Sequence, residues 1–259
     1  SGIQWLPLRY HKSPGILAKA YDMAVGIVFC SLQCIKEKIK IIHTRGYVVS
    51  LIALVIRRIF DVHFIFDMRG FWIDQRVEMG LWREDSRTFR FAKWLEGKFL
   101  QKASVVFALS SAAVEAMKKW PSVRGHSINF EVVTTCTDLD LFHPPAEGPR
   151  FNPEKPFTVG YVGSAGQGYL FEPVLDIFLE IQRLKPDARL KIVNRKDHVL
   201  IQELLNAREI DPAAVELLSC DYPEVPKNMG DMDIGLFFYQ WKKTHVSSVP
   251  TRMGEFLAC

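Results

Sequence analysis

Residues 157–184, FTVGYVGSAGQGYLFEPVLDIFLEIQRL, predict a strand, a glycine-containing loop and a helix in that order. The run FTVGYV is short, apolar and followed by glycine, as in a buried strand. The run LFEPVLDIFLEIQRL has apolar residues at helical spacing. A strand that leads through a loop into a helix is the repeating unit of a parallel sheet covered by helices, so this stretch indicates an α/β fold.

The same alternation of strand and helix runs along both halves of the chain. The upstream predictions are strands in IKIIHTR (39–45), DVHFIFDMRG (61–70) and SVVFALS (104–110), and helices in VVSLIALVIRRIF (48–60), FAKWLEGKFLQKA (91–103) and SAAVEAMKKW (111–120). The downstream predictions are strands in RLKIVNR (189–195), VELLSC (215–220) and DIGLFFY (233–239), and a helix in VLIQELLNA (199–207). Together they predict two Rossmann-like, doubly wound parallel-sheet domains, whose chemistry lies at the carboxyl ends of the strands.

Length and composition agree with two globular domains. The chain has 259 residues, 48% of them hydrophobic and 24% charged, enough apolar surface for two cores. The proline-dense stretch HPPAEGPRFNPEKP (143–156) lacks periodicity and is predicted to be the interdomain linker. The predicted domains are therefore residues 1–146 and 147–259.

Charge and cysteine content limit the function classes. A net charge of +4 and a pI near 8.7 are compatible with anionic small molecules or an anionic lipid surface. No nucleic-acid-binding motif is present, so no nucleic-acid partner is expected. The five cysteines indicate a reducing compartment, and no apolar run reaches the length of a membrane span. These features predict a cytoplasmic protein.

Both ends of the chain look incomplete by the same pattern. The opening IQWLPLRYHKSP (3–14) lacks the strand and loop that should begin the first domain. The final helix has about nine residues, shorter than a helix that is stable alone. The expectation is a fragment of two incomplete domains.

The loop DMRGFWIDQRVEMGLW (67–82) is the first candidate site, because it packs ionisable and aromatic residues at the carboxyl end of a strand. Asp67 and Arg69 come first in this loop, and Arg45 ends the neighbouring strand. The three are predicted to share one crevice as catalytic residues. An Asp67–Arg69 ion pair that only fixes the loop is an equally good interpretation.

The second candidate site combines a glycine loop with the helix that ends the chain. Gly163, Gly166 and Gly168 follow a strand, as in an anion-binding loop, but their spacing is not the dinucleotide fingerprint and a tight turn explains them equally well. In SSVPTRMGEFLAC (247–259), a serine at 247 or 248 is predicted to cap a helix. Arg252 in its first turn would favour a phosphate, whereas an ordinary surface ion pair between Arg252 and Glu255 is the simpler interpretation.

Two Asp-x-Asp triplets could hold a divalent metal beside a diphosphate, Asp138–Asp140 and Asp231–Asp233. Such triplets are common, and neither is expected to bind a metal. No nucleophile elbow, zinc-protease helix or Walker loop is present, which removes the usual support for hydrolases and kinases.

Taken together, these segments resemble the family 4 retaining glycosyltransferases, which have the two-domain GT-B architecture. The terminal segment is similar to the family's donor-site segment, and TTCTDLDLFHPP (134–145) is similar to the segment that closes its first domain. LQKASVVFALSSAAVEAM (100–117), YVGSAGQGY (161–169) and YPEVPKNMGDMDIGL (222–236) also resemble family segments. The resemblance implies transfer of a sugar from a nucleotide diphosphate-sugar donor to a glycan or lipid-linked acceptor.

The resemblance also implies roles for individual residues. Arg252 matches the basic residue that contacts the donor diphosphate, Glu255 matches a glutamate that contacts the donor ribose or sugar, and Gly163, Ser164 and Thr251 belong to the same donor-binding set. No metal and no cofactor apart from the donor is implied. The family's other glutamate would fall at Ser247, which is a departure.

Alternatives remain at this stage. One is an inactive module that binds nucleotide-sugars, motivated by Ser247. Another is a metal-dependent transferase that uses Asp231 and Asp233. A peripheral contact with the inner membrane face is a further hypothesis, based on the basic and aromatic residues Lys93, Trp94, Lys118, Lys119 and Trp120.

Overall fold

A computed structural model describes residues 2–13, 15–144, 154–166 and 168–259, which form two compact units. Each unit has a sheet of four parallel strands, and helices pack on the sheets. The predicted α/β class with two parallel-sheet domains is confirmed.

The first unit contains the residues up to Thr134 together with the segment Lys242–Val249. Its sheet has the order β1-β2-β3-β4. The strands are β1 (Ile41–Arg45), β2 (His63–Asp67), β3 (Val105–Ala108) and β4 (Phe130–Val132), and the helices are α1 (Gly15–Lys36), α2 (Tyr47–Ile59), α3 (Trp72–Glu78), α4 (Arg87–Lys102) and α5 (Ser111–Lys118). Strand β4 and the full extent of α1 were not predicted, and β4 is short and half-exposed. Residues 67–82, predicted as one loop, contain the helix α3.

The core of the first unit lies where α2, α4 and α5 cover this sheet. Phe64, Phe66 and Val106 point from β2 and β3 into it, and Phe99 and Leu100 of α4 meet them. All five side chains are almost fully buried. The near-continuous apolar sequence of β2 and β3 is therefore explained by burial in a parallel sheet.

The second unit contains Thr135–Trp241 and Pro250–Cys259. Its sheet has the order β7-β6-β5-β8, so the strand order reverses between β5 and β8. The strands are β5 (Thr158–Val162), β6 (Arg189–Val193), β7 (Val215–Leu218) and β8 (Ile234–Gly235), and the helices are α6 (Glu172–Leu184), α7 (His198–Ala207), α8 (Val225–Gly230) and α9 (Thr251–Ala258). Three 3₁₀ turns cover Pro212–Ala214, Tyr222–Glu224 and, in the first unit, Lys243–Ser247.

Close packing in the second unit depends on side chains from β5 and α6. Tyr161, Val159 and Phe178 are fully buried in its main core. A smaller cluster brings Phe142 against Val162. Only Ile234 and Gly235 of the predicted strand 233–239 pair as a strand, and Tyr239 makes an isolated bridge to Tyr169.

The two units divide the chain differently from the predicted domains. The predicted boundary between residues 146 and 147 lies outside the described residues. Thr135–Pro144, predicted in the first domain, pack with the second unit, because Phe142 fills that unit's smaller cluster. Lys242–Val249, predicted in the second domain, belong to the first unit.

Helix α1 corrects the prediction about membrane spans. Its part Leu17–Lys36 is 20 residues long and apolar enough to cross a membrane by length and composition. The prediction was wrong because isolated charges such as Asp22 interrupt the run without making the helix polar. Helix α1 packs on α2, where a Cβ at Gly26 would lie 2.8 Å from Ile52 Cδ1, but only 17% of its most apolar window is buried.

Replacing Phe142 by alanine tests the assignment of residues 135–144. Deleting a fully buried ring should cost the second unit roughly 3–5 kcal/mol. Native-state hydrogen exchange should therefore accelerate in β5 and β6 and stay unchanged in β2 and β3. Leu139→Ala is the matched control, since Leu139 lies in the same segment and is 68% exposed. Faster exchange in the strands of the first unit instead would contradict the assignment.

Candidate functional site

The carboxyl ends of β5 and β8 form the candidate site of the second unit. The strand order reverses between these neighbours, and open α/β sheets bind their ligands at such a switch point. Gly163 directly follows β5, so the predicted glycine loop begins at this position.

Gly163 has a backbone that requires glycine. Its φ of +129° is rarely adopted by other residues, and a Cβ would overlap the guanidinium of Arg252. Its N–H donates to the carbonyl of Val193 at 2.9 Å. Its carbonyl accepts from the Asn194 side-chain amide at 2.6 Å. Glycine therefore lets an arginine lie directly against the backbone at the end of β5.

Asn194 and Asp197, in the turn between β6 and α7, fix the shape of this loop. The Oδ1 atom of Asn194 accepts from the backbone N–H groups of Lys196 and Asp197 at 2.9 and 2.6 Å. The carboxylate of Asp197 accepts from Ala165 N–H at 2.9 Å. Ser164 remains exposed between these anchors. Hydrogen bonds from residues outside the glycine loop therefore hold it in place. The sequence analysis did not predict these two contacts.

Arg252 places a partly buried positive charge at the site. Its Nε and Nη1 atoms are buried, and neither has a hydrogen-bond partner among the residues that the structure describes. Leaving charged donors buried and unpaired is costly, so the arrangement favours an anion. Burial raises the pKa of the Tyr161 and Tyr239 phenols to about 12, although the Arg252 charge opposes this shift in both. The neighbouring phenols thus stay neutral at physiological pH and do not neutralise the guanidinium.

The start of α9 differs from the prediction. The helix begins at Thr251 after Pro250, and no side chain caps it, so the predicted serine cap is wrong. The hydroxyl of Ser247 is used elsewhere: it donates to the Thr244 carbonyl at 2.7 Å and accepts from Phe71 N–H at 3.0 Å.

Glu255 is buried on the inner side of α9. The Tyr222 hydroxyl donates to its carboxylate at 3.4 Å. Among the described residues Glu255 forms no ion pair with Arg252, and Thr251 is exposed at the start of the helix. Arg252 and Glu255 thus have different environments although they are three residues apart.

The first unit brings Arg45 and Asp67 side by side. They are register partners at the carboxyl ends of β1 and β2. Asp67 Oδ2 lies 3.7 Å from His43 Nε2. Burial raises the pKa of Asp67, while His43 and Arg45 oppose the shift. The predicted proximity is thus observed for this pair.

Arg69 lies two residues beyond Asp67 and has a strained backbone. Its φ is +58°, a left-handed conformation that is unusual for arginine, and its side chain is exposed. No ion pair joins it to Asp67 among the described residues, so the simpler interpretation of this loop is not supported. Strain of this kind at a strand end is typical of loops that position a functional side chain.

A buried polar network holds the Arg69 loop in this shape. The Tyr47 hydroxyl lies 3.2 Å from the Gly70 carbonyl and 2.8 Å from Glu96 Oε1. Glu96 is fully buried and pairs through Oε2 with the ammonium of Lys93, which also contacts Asp74 at 3.0 Å. Burial raises the pKa of Glu96 to about 7, mainly by desolvation. Sequence reasoning missed Tyr47 and Glu96, whose positions on helices give no signal of a polar role.

The Asp231–Asp233 triplet lies at the opposite end of the second sheet. Asp233 accepts from Thr158 N–H at 2.7 Å, at the first residue of β5. Asp231 pairs with Lys191 at 3.1 Å. In the other triplet, Asp138 accepts from Asp140 N–H at 3.1 Å and closes a turn. Within the described ranges, no three His, Cys, Asp or Glu side chains form a group that could hold a metal.

No protein-family profile and no curated protein matches the chain. Solved structures do match. Sucrose-phosphate synthase from Thermosynechococcus elongatus aligns over 88% of this chain and 57% of its own, with a TM-score of 0.62 at 16% identity. A glycosyltransferase from Rickettsia africae aligns over 89% and 58%, with a TM-score of 0.61 at 13% identity. An S. aureus TarM variant in complex with fondaparinux, alpha-GlcNAc-glycerol and UDP aligns over 85% and 40%, with a TM-score of 0.57 at 10% identity.

The chain has the GT-B fold. It spans 57% and 58% of the first two matched structures, so it corresponds to little more than half of such proteins. At these identities the likeness establishes the fold, and the chemistry has to be argued from the side chains.

Glu96 should make the stability of the chain depend on pH. Its pKa rises from 4.5 to about 7 on folding, so between these values the folded state binds more protons than the unfolded state. The free energy of unfolding should therefore fall as the pH rises through this range, by roughly 3 kcal/mol at about 1.4 kcal/mol per pKa unit.

Urea unfolding followed from about pH 4.5 to about pH 8 measures this dependence. Glu96→Gln should flatten it, because the amide keeps an acceptor for Tyr47 and does not ionise. Glu131→Gln on exposed β4 is the matched control and should leave it unchanged. An unaltered slope in Glu96→Gln would show that other groups dominate the pH dependence.

Proposed function

We propose that the chain is the core of a retaining glycosyltransferase of polysaccharide biosynthesis. It would move a sugar from a nucleotide diphosphate-sugar donor to a glycan or lipid-linked acceptor. The observation that carries the proposal is Arg252, whose guanidinium lies against Gly163 at the switch point of the second sheet, with two buried nitrogens that have no hydrogen-bond partner among the described residues. The presence of UDP in the similar TarM complex supports a nucleotide ligand.

The donor diphosphate is assigned to Arg252 and the first turn of α9. A phosphate oxygen would satisfy the guanidinium and meet the partial positive charge of the helix N-terminus, with Thr251 and Ser164 as exposed hydroxyls on either side. Glu255 is assigned to the ribose or the sugar, as a buried carboxylate that can accept hydroxyl hydrogen bonds. Because arginine and a helix dipole stabilise the leaving diphosphate, the proposed reaction needs no metal and no cofactor.

The proposed reaction breaks the bond between the anomeric carbon and the diphosphate oxygen and forms a bond from that carbon to an acceptor oxygen. The electron pair of the broken bond leaves with the diphosphate, and the acceptor hydroxyl gives up its proton. Arg45, Asp67 and Arg69 are assigned to the acceptor and the transferring sugar. The raised pKa of Asp67 makes its carboxylate a better proton acceptor than an ordinary aspartate.

An inactive nucleotide-sugar-binding module is the second candidate function. Ser247 occupies the position that the family resemblance gives to a donor-binding glutamate, and its hydroxyl is already engaged by Phe71 and Thr244. Such a module would bind nucleotide without transferring sugar. The metal-dependent alternative has less support, because Asp231 and Asp233 lie at the other end of the sheet from Gly163. A cytoplasmic location and the absence of a nucleic-acid partner remain parts of the proposal.

Nucleotide binding tests the donor site. UDP, GDP and ADP are added separately, with and without EDTA, and thermal unfolding is followed. A ligand at about a hundred times its dissociation constant adds about 2.7 kcal/mol, which is several degrees at this chain length. One nucleotide should give this shift regardless of EDTA.

Arg252→Ala should lower the affinity by about ten- to a hundred-fold, because a charged hydrogen bond is lost. Gly163→Ala should do the same by displacing the guanidinium, whereas Arg252→Lys should retain part of the affinity. Arg189→Ala is the matched control, an exposed arginine at the amino end of β6. A shift that survives both site variants, or one that EDTA abolishes, would contradict the assignment.

Arg69 separates the transferase from the inactive module. Arg69→Ala removes the side chain and keeps the backbone strain of the positive φ, whereas Arg69→Gly removes the side chain and relieves that strain. With donor and acceptor present, release of nucleotide diphosphate should fall about a hundred-fold or more in both variants. Nucleotide binding should stay unchanged. Transfer that persists in Arg69→Gly refutes the catalytic role, and nucleotide binding without transfer by the unaltered protein supports the inactive module.

A further inference from the structure

Helix α4 presents a basic and aromatic stripe to solvent. Its members recur at helical spacing along the outer face, and they are Arg87, Arg90, Phe91, Trp94, Lys98 and Lys102. The Phe91 and Trp94 rings stack with centroids 5.8 Å apart, and the two side chains are 60% and 56% exposed. The Lys98 ammonium lies 5.8 Å from the Trp94 ring centroid. Two large aromatic rings thus lie together in solvent with cations on both sides.

The charge of this stripe is of one sign. Helix α4 contains one carboxylate, Glu96, which is fully buried and paired with Lys93. The four remaining cations therefore have no carboxylate on their own helix. The acidic segment Glu84–Asp85 precedes the helix; Asp85 pairs with Arg83 at 2.8 Å and also feels the charge of Arg90.

The stripe differs from the patch that the sequence suggested. The Lys93 ammonium is turned inward, 3.8 Å from the Trp120 ring centroid, and Trp120 packs on Phe71 with centroids 4.8 Å apart. Lys118 pairs with Glu115. Of that earlier set, Trp94 alone is part of the stripe on α4.

The geometry points to an anionic lipid bilayer as the partner of this stripe, with Phe91 and Trp94 inserted at the interface and the four cations against lipid phosphates. Aromatic rings prefer the headgroup region, and lysine and arginine near the surface attract anionic lipids. A helix with aromatic residues on its outer face and cations on either side has the pattern of a helix that lies in the interface plane. This inference stands on its own and does not require the proposed catalytic function.

The larger apolar stripe of α1 does not identify a partner in the same way. Leu17, Tyr21, Val28, Leu32 and Ile35 are exposed along it. They include no cation, so this stripe fits any apolar surface equally well. Charge complementarity distinguishes α4.

Flotation with vesicles tests the inference. The protein is mixed with vesicles of phosphatidylcholine alone or of phosphatidylcholine with roughly 30% phosphatidylglycerol, each at low and at high salt. Binding is expected with the anionic vesicles and should weaken in high salt. Phe91→Ser with Trp94→Ser should abolish it, and Trp241→Ser, at a tryptophan 75% exposed in the second unit, should leave it intact.

The cations are tested by a matched pair of double variants. Arg87→Gln with Arg90→Gln should reduce partitioning about thirty-fold, whereas Arg57→Gln with Arg58→Gln, which removes the same charge from the end of α2, should have little effect. Equal losses in both would show non-specific attraction and overturn the inference. So would binding that survives the aromatic variant through α1, or a concentration-dependent dimer that the aromatic variant dissociates without any flotation.

Tryptophan quenching by brominated lipid is the second readout. Trp94→Phe should remove most of the quenching, and Trp241→Phe should remove little. Equal quenching in both variants would place the contact elsewhere and overturn the inference, even if the protein floats.

Discussion

The contact between the Arg252 guanidinium and the backbone of Gly163 is the constraint on which the second unit's site depends. A side chain at position 163 would expel the guanidinium, and the positive φ there excludes most residues in any case. Within the part of the chain that the structure describes, the Nε and Nη1 atoms of this guanidinium are buried without a hydrogen-bond partner. Burying charged donors in this way costs free energy, and an anion that accepted their hydrogen bonds would remove that cost.

In the first unit, hydrogen bonds from buried polar groups hold the backbone that follows Arg69 in place. The strained backbone at Arg69 is followed by Gly70, whose carbonyl contacts Tyr47, and by Phe71, whose N–H contacts Ser247. Tyr47 is itself held by the buried Glu96. A left-handed arginine persists only when its neighbours fix it, and here a helix and a distant segment both do so. The position of Arg69 thus depends on residues that never touch it.

The periodicity of apolar residues predicted most of the helices and strands. It did not predict short, exposed elements or contacts between residues far apart in the sequence. Buried parallel strands such as β2 and β5 have an apolar composition that local reasoning detects, whereas β4 has three residues and an exposed Glu131. At the sites, adjacency of strand ends brought Arg45 and Asp67 together as expected. The partners of Glu255 and Glu96 could not be predicted, because Tyr222 and Tyr47 come from distant parts of the chain and carry no local pattern. The roles assigned to these residues stay predictions.

Ser247 makes two hydrogen bonds that a glutamate at the same position could not both make. Its hydroxyl donates to the Thr244 carbonyl and accepts from Phe71 N–H at once. An ionised carboxylate can accept but cannot donate, so a glutamate here would leave the carbonyl without its donor and would have to fit beside Gly70, where a Cβ would lie 3.4 Å from the serine oxygen. Serine at this position therefore links the segment Lys242–Val249 to the Arg69 loop by hydrogen bonds. Two further hydrogen bonds hold the segment: Thr244 N–H donates to Glu78, and the Ser110 hydroxyl donates to the Val246 carbonyl.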